Sequence, residues 1–105
     1  MQTEFISQDV MRTEQEFLPG ARVLLFGSRA RGVFDEGSDY DFLVITPEEH
    51  SRAEKSNLMG RLDRALVRLL HAPVDVFVKS EVEVARKRKL PGHIIYQAME
   101  EGVQL

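Results

Sequence analysis

The chain has 105 residues, a formal net charge of −3 and no cysteine. That length fits one compact domain, 1–105, and the missing cysteine excludes disulfides, thiolate zinc sites and cysteine nucleophiles. The acidic balance argues against bulk nucleic-acid binding, and no stretch reaches the roughly 20 apolar residues of a membrane span. Met1–Phe17 mixes charged and apolar residues, so it does not read as a signal peptide, and a cysteine-free chain suits a reducing cytoplasm.

Ile6, Val10 and Phe17 recur at near-helical spacing and Pro19-Gly20 closes the segment, which predicts an amphipathic helix over about 3–18. Arg22–Phe26 is a short apolar run ending at a glycine, a buried strand. Residues 27–38 are polar and glycine-punctuated, with Ser28–Arg31 making one helical turn. Tyr40–Thr46 is rich in β-branched and aromatic residues and stops at Pro47, a second strand. Thr46-Pro47-Glu48-Glu49 then predicts a helix start capped by the threonine. Leu58, Leu62, Leu66 and Leu69 carry that helix to about His71, with the leucine face covering the sheet. Val74–Val78 is a third strand, Ser80 with Glu81 and Glu83 opens another helix through Arg86–Lys89, and Pro91-Gly92 breaks it. His93–Glu100 forms a last helix capped by Gly102. The fold class is α/β: a mixed sheet of three or more strands flanked by helices.

Strand two, the long helix and strand three form a β-α-β unit, which makes its two strands parallel. Asp39 and Asp41 stand at the start of strand two and Asp75 at the start of strand three, so all three share one edge of the sheet. Gly27-Ser28 ends strand one and reaches that edge if strand one is antiparallel to strand two. The short connection between them permits this, being too short for a crossover with a full helix.

Side chains two apart on a strand point to the same face, so Asp39 and Asp41 are neighbours. Paired carboxylates repel and are costly to desolvate unless a cation lies between them, and hard oxygen ligands favour Mg²⁺ or Mn²⁺ over zinc. Asp75 adds a third carboxylate, and three can clamp two metals about 3.5–4 Å apart for displacement at phosphorus. Taken alone, Asp39-Tyr40-Asp41 also fits a solvated loop or a helix cap, and strand alternation could turn Asp75 outward. Gly27-Ser28 lets the backbone approach an anion, and Arg29 and Arg31 flank the turn. Both arginines also fit solvated helix positions. Tyr40, between the aspartates, should face the opposite way into packing. Arg86–Lys89 reads as a solvated basic face or as a contact for a nucleotide or an acidic partner. His50, His71 and His93 have no metal-site spacing and read as surface or cap residues.

Gly27-Ser28-Arg29-Ala30-Arg31-Gly32 followed by Ser38-Asp39-Tyr40-Asp41-Phe42-Leu43-Val44 resembles the signature of polymerase-beta-type nucleotidyltransferases: glycine-serine, a ten-residue gap, aspartate-x-aspartate. The short length and the GSRARG form resemble the minimal nucleotidyltransferases of prokaryotes, and the likeness extends to Val74–Val78 and the closing Glu101-Gly102-Val103. The resemblance implies that Asp39 and Asp41 bind two Mg²⁺ ions. It implies that Asp75 completes the metal site and helps activate the attacking hydroxyl, and that Ser28 binds the triphosphate of ATP; the residues themselves add the Gly27 backbone and the guanidinium groups of Arg31 and Arg29 as phosphate contacts. It also implies a HEPN-type toxin as partner, with this chain as the antitoxin that transfers AMP to a tyrosine of the toxin, in a hetero-oligomer. The alternatives are an antitoxin that neutralises by binding alone, and a transferase acting on a small molecule. A nucleic-acid polymerase is disfavoured, because no fingers, thumb or broad basic surface can be found.

Overall fold

The computed structural model describes residues 3–35 and 37–105, so Glu36, within the loop expected over 27–38, lies outside the described residues. The elements are α1 (Thr3–Phe17), β1 (Arg22–Phe26), α2 (Ser28–Arg31), β2 (Tyr40–Thr46), α3 (Arg52–Leu70), β3 (Val74–Ser80), α4 (Glu81–Lys87), α5 (Ile94–Glu101) and β4 (Val103–Gln104). Among the described residues, four strands form one sheet in the order β3-β2-β1-β4. β2 and β3 are parallel, as the α3 crossover requires, while β1 is antiparallel to β2 and to β4. The mixed sheet and its strand directions therefore match the sequence reading. The fourth strand does not follow from that reading: two residues are too few to show an alternating pattern.

Strand alternation sorts the sheet residues onto two faces. Val23, Leu25, Tyr40, Phe42, Val44, Val74, Val76 and Val78 pack under α1 and α3, against Ile6, Val10, Leu62 and Leu66. Leu24, Phe26, Leu43 and Ile45 form the other layer with Val84, Ile95 and Ala98 from α4 and α5. Leu62 and Leu66 are at most 1% exposed, and each such burial contributes roughly 1.5–3 kcal/mol. The leucine stripe covers the sheet as expected.

Two boundaries correct the sequence reading. The long helix begins at Ser51 and not at Thr46: the Ser51 hydroxyl accepts from the Glu54 amide at 3.1 Å, and the Glu54 carboxylate accepts from the Ser51 amide at 2.9 Å. Thr46 is instead the buried last residue of β2, paired with Ser80 of β3, and its hydroxyl donates to the Glu48 carbonyl at 2.7 Å. Sheet pairing thus outweighs the local capping preference. α4 also stops at Lys87, short of the full basic run. Its start at Ser80 is capped as expected, by a reciprocal pair with Glu83. No helix among the described residues is long and apolar enough to cross a membrane.

Candidate active site

Asp41 and Asp75 lie on the face of the sheet that Leu43 and Phe77 share with α4 and α5, at the end where β2 and β3 begin, and Asp39 directly precedes β2. The register is decisive. Asp41 is the pairing partner of Asp75 across the parallel β2/β3 ladder and of Phe26 across the antiparallel β1/β2 ladder. One residue therefore joins the third carboxylate to the end of β1, where Gly27 turns the chain into α2. Asp39 and Asp75 are exposed, whereas Asp41 is partly buried.

Electrostatics follow from that placement. Burial raises the Asp41 carboxyl from 3.8 to about 6, and the charges of Asp75 and Asp39 add to the shift. A hydrogen bond shared with Asp75 also favours the protonated form, and Glu101 contributes more negative charge. Three other acids thus add negative charge at Asp41, which is the condition a bound cation relieves. Among the described residues, however, no group of three acids or histidines stands grouped around one point so as to hold a metal ion. The carboxylates are gathered about Asp41, and they supply the hard oxygen donors that suit Mg²⁺.

Gly27 has φ +75° and ψ −160°, a conformation that favours glycine. A Cβ there would also collide with Oδ2 of Asp41 and lie 3.1 Å from its Cγ. The absent side chain is what brings the turn and the carboxylate together. Ser28 opens α2, half-buried beside that contact, and the Gly27 carbonyl accepts from the amides of Ala30 and Arg31 at 3.1 Å each.

The two arginines of the turn have different surroundings. Arg29 donates from Nε and Nη2 to the Ser38 carbonyl at 3.1 and 3.0 Å. Its guanidinium lies over the rings of Tyr40 and Phe34, 4.0 and 4.6 Å from their centroids. That geometry ties Phe34 and Ser38 to Tyr40 of β2. Arg31 pairs with Glu101, Nη1 to Oε2 at 2.7 Å. Tyr40 faces away from the aspartates, buried and stacked on Phe42 as alternation requires. Beside it, Arg29, Phe34, Asp35, Tyr40, Leu70 and His71 border a recess of about 590 Å³ on the opposite face of the sheet from the carboxylates. A second cleft of about 490 Å³, between Phe17, Leu18, His50 and Leu58, lies away from them.

Glu101 has no site role in the sequence reading. Its ion-pair partner Arg31 is 70 residues away in the chain, and the β1/β4 pairing brings it to the turn. The signal open to sequence was its place in the closing Glu101-Gly102-Val103.

Comparison with known proteins supports the same fold. Residues 9–104 match the family model described as a nucleotidyltransferase domain. A solved structure provisionally described as a minimal nucleotidyltransferase is 27% identical, with a TM-score of 0.66 over 100% of this chain and 97% of the other. The structure of the tri-AMPylated HEPN toxin of Shewanella oneidensis in complex with MNT antitoxin matches at a TM-score of 0.65 and 16% identity. That match covers 98% of this chain and 71% of the matched chain, and it speaks to fold alone. A Methanocaldococcus jannaschii protein provisionally named a protein adenylyltransferase is 47% identical over 38 residues. The matched segment spans 36% of this chain and 38% of that relative. With nearly its whole length covered by the family model and its acids and glycine turn on one sheet edge, the chain belongs to the nucleotidyltransferase domain family.

Proposed function

We propose that this chain is a Mg²⁺-dependent enzyme that transfers AMP from ATP to a tyrosine hydroxyl of a HEPN-type toxin, acting in the cytoplasm as the antitoxin of that toxin. The observation that carries the chemistry is the register of Asp41, opposite Asp75 on one side and the end of β1 on the other. The choice of acceptor is supported by the likeness to the AMPylated toxin complex and to the protein named an adenylyltransferase.

Asp39, Asp41 and Asp75 are the residues that would hold Mg²⁺, two ions in the full arrangement. When bound, the metal supplies positive charge against the triphosphate and aligns the reacting groups. The protein's own residues do the rest. The Gly27 turn, packed on the Asp41 carboxylate, presents its backbone to the triphosphate beside Ser28, and Arg31 offers a guanidinium to its oxygens. The acceptor oxygen forms a bond to the α-phosphorus while the bond from that phosphorus to the bridging oxygen breaks. Pyrophosphate leaves with the electron pair, and the hydroxyl proton passes to Asp75, exposed on the edge.

The test is incubation with labelled ATP, Mg²⁺ and a small helical HEPN-type partner, read by mass spectrometry of the partner's tyrosines. AMP should appear on the toxin and on none of a panel of small alcohols. Asp39→Asn and Asp41→Asn should each abolish transfer, and retained transfer in either would overturn the metal-site reading. Full neutralisation by a variant lacking all three aspartates would identify an antitoxin that works by binding alone.

A further inference from the structure

Glu101 ends α5, and its position is set by strand pairing. Leu24 pairs with Gln104 and Leu25 with Val103, which brings the end of α5 alongside the end of β1, where Glu101 reaches the Gly27 amide. Its carboxylate accepts from Arg31 Nη1 at 2.7 Å and from Gln97 Nε2 at 2.6 Å. The Gly27 amide also favours its charged form. Arg31 and the Gly27 turn are the groups proposed above for the triphosphate, and both are engaged by this one carboxylate.

We infer that Glu101 is a positioning residue that stands in for phosphate at the Gly27–Arg31 turn, holding its anion-accepting groups until a charged ligand takes them. The inference rests on the nucleotidyltransferase reading. Arg31 meets Glu101 through Nη1 and Oε2, so a phosphate oxygen that draws on that donor competes with the carboxylate for it. Glu101 also adds negative charge beside Asp41, which an arriving triphosphate must overcome. When displaced, the carboxylate keeps the hydrogen bond from Gln97, four residues earlier on α5, so it has a place to go. As a brace the pair is weak, since the Arg31 side chain is 49% exposed and exposed pairs add little stability. Its consequence lies in ligand selection: Glu101 raises the charge a ligand needs to occupy the turn.

The test is calorimetric titration of the native protein and Glu101→Gln with AMP-PNP and with pyrophosphate, both in Mg²⁺, and with uncharged adenosine as control. Glu101→Gln should tighten AMP-PNP and pyrophosphate by roughly three- to tenfold and leave adenosine unchanged. In transfer assays the KM for ATP should fall with kcat held. In an Arg31→Gln background the same change should have an effect of roughly twofold or less, because the shared partner is gone. Unchanged or weaker binding of the charged ligands by Glu101→Gln overturns the inference. Equal tightening of adenosine overturns it too, since that reports a loosened turn. Failure of the native protein to bind either charged ligand overturns the nucleotidyltransferase reading, and this inference with it.

Discussion

Gly27 and Asp41 are packed so closely that the glycine can carry no side chain: a Cβ would run into the Asp41 carboxylate, and the backbone there has φ +75°. Steric and conformational demands coincide at one residue. Gly27→Ala should therefore lose about 1–3 kcal/mol of stability in denaturant unfolding. It should lose AMP transfer more severely than stability, because relief of the clash moves the carboxylate.

Asp41→Asn should separate stability from activity in the opposite direction. A carboxyl raised to about 6 in the folded state contributes stability that is present below its unfolded value near 3.8 and lost as pH rises through about 6. At pH 7.5 the native protein carries that cost. The asparagine variant should then be more stable by about 1 kcal/mol, a figure reduced for the solvent that still reaches the site. The gain should vanish near pH 4, and AMP transfer should be lost throughout. Thermal unfolding across that pH range is the check.

Glu14 has only 1% of its surface exposed, on α1, and among the described residues its Oε1 finds no hydrogen-bond partner. Its other oxygen accepts from Gln15 Nε2 at 2.7 Å. Burial raises its carboxyl from 4.5 to about 7, with the Gln15 contact opposing. The sign is again that of a raised acid, with stability present below about 4.5 and lost as pH rises through about 7. Glu14→Leu should gain about 1–3 kcal/mol at pH 8, with the gain shrinking toward pH 5. The site being remote from the carboxylates, transfer rates should be unaffected.

Gly102 joins α5 to β4, and a Cβ there would collide with the Ala98 carbonyl oxygen and lie 3.4 Å from the Leu24 side chain. Its φ of −69° suits any residue, so the constraint is close approach alone. Gly102→Ala should cost about 1–3 kcal/mol through overpacking and loosen the β1/β4 pairing. Hydrogen exchange should show faster exchange at the Leu105 amide, which donates to the Val23 carbonyl at 2.9 Å.

The amino-acid sequence alone carries much of this protein. The apolar runs at 22–26, 40–46 and 74–78 are strands because short β-branched and aromatic stretches between turn residues have little other use. The α3 crossover makes β2 and β3 parallel, and that connectivity by itself places Asp39, Asp41 and Asp75 on one edge. Local capping rules served at Ser80 and failed at Thr46, where the β2/β3 ladder takes the threonine into the sheet.

What only the tertiary structure decides is which groups face each other across long chain separations. The registers that set Asp41 opposite both Asp75 and Phe26 depend on the packing of two layers, and no local pattern encodes them. Arg29 and Arg31 look alike in the sequence, yet aromatic rings and the Ser38 carbonyl engage one while Glu101 holds the other. β4 is too short to announce itself, and it is the strand that carries Glu101 to the turn. Periodicity records which face of an element is buried; only the folded chain fixes what that face meets.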